Sequence, residues 1–136
     1  MLKLSNKTMN LKITFKRIIL LDLLLFILIV VASFYPSVEV EDFNKYFESE
    51  FSNSLLIIFA ILQLIYLINL YLLYRFKSIG KKIYLILLIV MWILSLLIPP
   101  YAVDSWLSVL EGLGIMISGA ILVFLYFTPI KKEFDK

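Results

Sequence analysis

LEGLGIMISG, Leu110–Gly119, sets a glutamate inside an apolar run that extends from Ser105 to Phe127. About 17–25 residues, rising about 1.5 Å each, cross a hydrocarbon core about 30 Å thick, so this run is long enough to span a membrane. Three more apolar stretches precede it: Ile18 to Tyr35, Leu55 to Tyr74 and Ile83 to Ile98. The third is short, but Lys81 and Lys82 can snorkel at its start, and Pro99-Pro100 stops it at the other end. With 62% hydrophobic residues in 136, the chain far exceeds the roughly 45–50% of a soluble domain. Its mean hydropathy of +1.00 agrees.

The expected fold is therefore an all-α integral membrane protein with four transmembrane helices in an up-down bundle. One domain, 1–136, holds spans at about 18–35, 55–74, 83–98 and 105–127. Short connections at Pro99-Pro100-Tyr101 and at Arg75–Lys82 make successive helices antiparallel neighbours, with Gly80 letting the backbone turn.

Charge predicts direction. Lys3, Lys7, Lys12, Lys16 and Arg17 precede the first span, Arg75, Lys77, Lys81 and Lys82 join the second to the third, and Lys131, Lys132 and Lys136 close the chain. Every basic residue except Lys45 thus falls on one side, which the positive-inside rule makes cytoplasmic, together with both termini. Glu39, Glu41, Asp42, Glu48, Glu50 and Asp104 fall on the other. Membrane orientation explains the basic residues, so no nucleic-acid partner is expected. Val31-Ala32-Ser33 after a basic start also suits a signal-peptide cleavage site, but Asp22 and the length of the run favour a retained helix.

Between the first two spans, residues 36–54 form an external amphipathic segment. Phe43, Phe47 and Phe51 recur every four residues, while Asp42, Glu48 and Glu50 lie mainly elsewhere. Such a helix is an interfacial anchor, or a docking face presenting Glu48 and its acidic neighbours to a partner.

Absence of cysteine and histidine excludes disulfides, thiol chemistry, haem or zinc ligation by the usual residues, and Ser-His or Cys-His nucleophile pairs. No catalytic, cofactor or metal site is expected. The candidates that remain are polar groups in the spans. Helical rise puts Glu111 and Gln63 at comparable depth below the outer interface, so Gln63 is the expected hydrogen-bond partner of Glu111, with Ser118 on the same face. Glu111 is then a neutral acid clamped by Gln63, or a carboxylate wetted by an outward cavity. A second layer joins Asp22, Asn69 and Arg75 nearer the cytoplasm, with Asp22 satisfied by Arg75, Lys16 or Arg17. On a helical wheel Glu111, Gly114 and Ser118 cluster beside Ser108, Gly112 and Gly119, opposite Leu110, Leu113, Ile117, Ile121 and Phe124. The small residues are the expected helix-packing seam, and the bulky ones face lipid or a bulky neighbour.

Two resemblances bear on function. Four helices with an embedded glutamate resemble the small multidrug-resistance transporters, but their essential glutamate is in the first helix, where this chain has Asp22 near the basic end; no site residue is carried over. LYLLYRFKSIGKKIYLILL, Leu70–Leu88, and the tail YFTPIKKEF, Tyr126–Phe134, are similar to the helix junction and aromatic-Thr-Ile-Lys-Phe ending of uncharacterised small bacterial four-helix inner-membrane proteins. That resemblance implies the same architecture and supplies no activity; the Gly-Gly-Trp opening of those proteins is missing here.

The expectation is a non-enzymatic multi-pass protein of a bacterial inner membrane. Its partners are the lipid bilayer and either another membrane protein, bound in an accessory, regulatory or immunity role, or further copies of itself. The alternative is an oligomeric proton- or cation-coupled small-solute carrier using Glu111.

Overall fold

The computed structural model describes residues 2–47, 53–98 and 101–135. Among them every regular element is helical: α1 Leu2–Ser33, α2 Val38–Phe47, α3 Asn53–Tyr74, α4 Ser78–Ser95, α5 Ser105–Phe127, then a 3-10 turn, Pro129–Glu133. Glu48, Glu50, Phe51, Pro99 and Pro100 lie outside the described residues, as does the side chain of Phe47. Helices α3, α4 and α5 are each long and apolar enough to cross a membrane, and α1 with α2 makes a fourth candidate as a pair bent by 78°. Leu56, Ile57, Leu64 and Ile68 on α3 are exposed, as lipid-facing side chains must be. The chain is a multi-pass membrane protein by these lengths and compositions.

Helix α1 has 32 residues, about 48 Å at helical rise, so it begins well before Ile18 and carries the leading basic residues on the helix itself. It ends where Ser33 Oγ turns back to Val30 O (2.8 Å), followed by Pro36, which disfavours helix in the residue before it.

The junction of α3 and α4 departs from the expected glycine turn. Lys77 N donates to Leu72 O and Phe76 N to Leu73 O, both 2.9 Å, which is the Schellman pattern of helix termination. Its left-handed position, φ 54°, is occupied by Phe76. A non-glycine residue there costs about 1–2 kcal/mol, which ring contacts offset: Phe76 lies 5.7 Å from Phe15 and 5.3 Å from Phe134, centroid to centroid. Gly80 serves a different purpose. It is already helical, and a Cβ on it would sit 3.0 Å from Leu72 Cβ and 3.2 Å from Leu73 N. Glycine is needed for the close approach of α4 to α3.

Packing is organised as two pairs, α1 on α5 and α3 on α4, joined by a smaller α1–α3 contact. Contrary to expectation, α4 and α5 make no substantial contact despite their short connection. Their buried residues explain it: Gly80, Tyr84 and Leu87 recur at i, i+4 and i+7 on α4, and Leu107, Ile121 and Leu125 on another row of α5. Each row is committed elsewhere.

The wheel for α5 also needs correction. Ile121 is fully buried with α1's Phe15 and Ile19 in the core, whereas Ser108, Gly112 and Gly119 are exposed. Among the described residues a Cβ at Gly112 or Gly119 would meet nothing within 4 Å, so there these residues form no seam; of the three α5 glycines Gly114 alone has a described neighbour, Ile29 Cδ1 at 3.7 Å. In a helix that is apolar all round, the moment gives no direction, and the bulky α1 selects bulky rows.

The basic end is closed by the tail. Thr128 Oγ1 donates to Phe124 O (2.8 Å) and accepts from Ile130 N (3.3 Å), starting a turn with Pro129 in its first positions. That turn buries Ile130 and Phe134 against Phe15. Lys12 Nζ meets Glu133 Oε2 at 2.7 Å over it.

A candidate ligand cleft between two helices

The gap between α4 and α5 is a cavity of about 820 Å³. Its floor comes from α1 and α3, including Asp22, Phe26, Gln63 and Tyr66; its sides come from Leu85 to Ile93 on α4 and Glu111 to Leu122 on α5. It opens outward, since Ile89, Trp92 and Ile115 line it and are more than half exposed.

At one end sits Asp22, only 4% exposed. Its partner is Tyr66, whose Oη donates to Oδ2 at 2.5 Å. Among the described residues no cation pairs with it. Arg17 and Arg75 are exposed, and Lys16 Nζ lies over the rings of Tyr74 (4.5 Å) and Phe76 (5.7 Å). The expected ionic satisfaction of Asp22 is thus replaced by a phenol, because α3 brings Tyr66 to the α1 face while Lys16 lies over its aromatic neighbours and Arg17 and Arg75 stay exposed.

Asn69, 1% exposed, is not part of that contact. With its amide oriented to satisfy both atoms, Nδ2 donates to Gly80 O (2.9 Å) and Oδ1 accepts from Tyr84 N (3.2 Å). It ties α3 to the close start of α4. Tyr84 stacks on Tyr66, 6.1 Å between centroids, with Ser118 beside both phenols. Its hydroxyl is buried without hydrogen-bond geometry to any described atom.

Glu111 and Gln63 line the other part of the cleft, but no hydrogen bond joins them among the described residues. Gln63 is exposed and Glu111 partly so, and each looks into the open volume. Ser118, seven residues after Glu111 and about 10 Å farther along the helix, belongs with the tyrosines. Glu111, Gln63 and Ser118 of the first sequence-predicted layer thus line one cavity with Asp22 of the second, whereas Asn69 and Arg75 lie outside it.

Outside the spans, Tyr101 lies near Glu111; burial first, and the Glu111 charge second, push its phenol above the ordinary value. Hydrogen bonds tie α2 and the residue before it to the connection that precedes α5. Asn44 Nδ2 donates to Ala102 O (3.0 Å), Ala102 N returns a bond to Asn44 Oδ1 (2.8 Å), and Ser37 N donates to Asp104 Oδ2 (3.0 Å). Phe43 is half-exposed on α2, and Glu39, Glu41 and Asp42 are exposed.

The sequence reading missed Tyr66 and Tyr84. For Tyr66 the available signal is depth: tyrosines belong at interfaces, and one in mid-span needs a buried partner for its hydroxyl; Tyr84, at the start of its span, carries no such signal. Chemically the cleft offers two carboxylates, an amide, a hydroxyl and a phenol on apolar walls. No family model, curated protein or solved structure matches the chain.

Proposed function

We propose that the protein is a non-enzymatic accessory, regulatory or immunity-type binder of another membrane protein, and that the open face between α4 and α5 is its binding surface. One observation carries this reading: two helices joined by a short connection stand apart, leaving apolar and small-residue faces uncovered. Gly119 lines the cleft and has no described neighbour within 4 Å of its Cβ position, so a helix backbone can approach it closely. The distribution of basic residues supports cytoplasmic termini, with α2 and its acidic residues on the outer side, and we place the chain in a bacterial inner membrane.

The chain has no native cysteine, which makes the test direct. Ile115→Cys, in the cleft, and Ile57→Cys, on the exposed side of α3, are each treated with a short thiol-reactive crosslinker in native membranes. A defined heteromeric adduct from Ile115→Cys alone is expected. Equal labelling from both positions contradicts the reading.

A second reading, a proton- or cation-coupled carrier using Glu111, draws support from Glu111 and Asp22 lining one cavity. It requires Glu111→Gln to abolish flux in proteoliposomes while preserving assembly.

A further inference from the structure

Charge in the cleft is unbalanced. Asp22 and Glu111 both line it, and among the described residues no lysine or arginine does. Asp22 is engaged by Tyr66, whereas Glu111 makes no hydrogen bond or ion pair among the described residues. Inside a membrane, an ionisable side chain is satisfied by pairing or by water in a cavity, and it is costly otherwise.

The uncovered surface has the form of a helix seat. From Glu111 to Leu122 it runs along about three turns of α5, roughly 16 Å, and from Leu85 to Ile93 along about two turns of α4. A helix about 10 Å across occupies roughly 420 Å³ per turn, so about 820 Å³ accepts two full turns or a longer length inserted by one face. Gly114 and Gly119 keep the α5 side of that seat low.

We propose that the occupant is a transmembrane helix of a partner protein carrying a lysine or arginine at the level of Glu111, so that the Glu111 ion pair forms only in the complex. This rests on the partner-binding reading and adds the partner's chemistry. An apolar helix would fill the walls and leave the carboxylate buried without a partner; a basic residue at that level satisfies it.

Synthetic Leu/Ala transmembrane helices with one guest residue test this. Lys, Leu, Gln or Glu is placed about 10 Å below the outer flank, and each peptide is co-reconstituted with the full chain in phosphatidylcholine liposomes. Association is read by energy transfer to a dye at Asp135→Cys. The Lys helix is expected to associate at least tenfold more strongly than the Leu helix, with the Glu helix weakest. Glu111→Gln should remove the lysine preference, and Glu111→Asp should retain it. Equal association of Lys and Leu helices, or a lysine preference that survives Glu111→Gln, overturns the charge assignment; the Ile115→Cys crosslink then decides separately whether the partner reading stands. Absence of any association also overturns the proposal.

Discussion

Tyr66 Oη donates to Asp22 Oδ2, joining α3 to α1 at the floor of the cleft. Removing the phenol leaves a buried acceptor without its donor, which costs about 1–3 kcal/mol. Tyr66→Phe should therefore lower thermal stability in detergent measurably, while Tyr71→Phe, on an exposed α3 position, should fall within about 0.5 kcal/mol of wild type. Equal effects of the two would remove the Asp22 contact from the account.

Gly80 and Phe76 divide the work at the α3–α4 junction. Gly80→Ala forces a Cβ to 3.0 Å from Leu72 Cβ and should destabilise by about 1–3 kcal/mol. Phe76→Gly relieves the left-handed backbone but loses two ring contacts and buried area, so it should also destabilise, by about 1–3 kcal/mol net. Denaturant titration of both variants checks this; a stabilised Phe76→Gly would show the ring contacts to be unimportant.

The tail is a structural plug. Phe134 is 1% exposed against Phe15 and Phe76, so Phe134→Ala should cost about 3–5 kcal/mol and render the C-terminal turn sensitive to protease. Lys12→Ala, breaking the partly exposed pair with Glu133, should cost no more than about 1 kcal/mol. Limited proteolysis of the two variants separates them.

Tyr101 reports on Glu111. Ionising the phenol places a second negative charge near the carboxylate, so Glu111→Gln should bring the Tyr101 titration down toward the ordinary value, though only partway, because burial is the larger cause. The folded phenol holds its proton more tightly than the unfolded one, so its stabilising contribution is full below about pH 10 and is lost as pH rises through the folded value. Fluorotyrosine NMR at position 101 measures the shift; an unchanged titration would mean that Glu111 carries no charge there.

The sequence made the helices legible because apolar length and breaking residues are local properties: Pro36 and Thr128-Pro129 mark ends found in the structure. It also isolated Asp22, Glu111, Gln63 and Ser118, all of which line one cavity. Partners were less legible. Gln63 and Glu111 were matched by depth alone, but depth does not fix the rotation of two helices. Close approach favours an inward small-residue row on α5, whereas α1 presents Phe15 and Ile19 and packs against Ile121 and Leu125. The separation of α4 from α5 depends on which rows α3 and α1 capture, a competition among four helices that no single span records.

The central claim is that another membrane protein covers the α4–α5 face. Native mass spectrometry of the intact chain, extracted gently from its own membrane, compares wild type with Gly119→Leu, a position whose Cβ would meet no described atom within 4 Å. A stoichiometric complex with a different protein in wild type, lost in Gly119→Leu while the chain stays folded, is the predicted result. A bare chain, or a complex indifferent to Gly119→Leu, would contradict it.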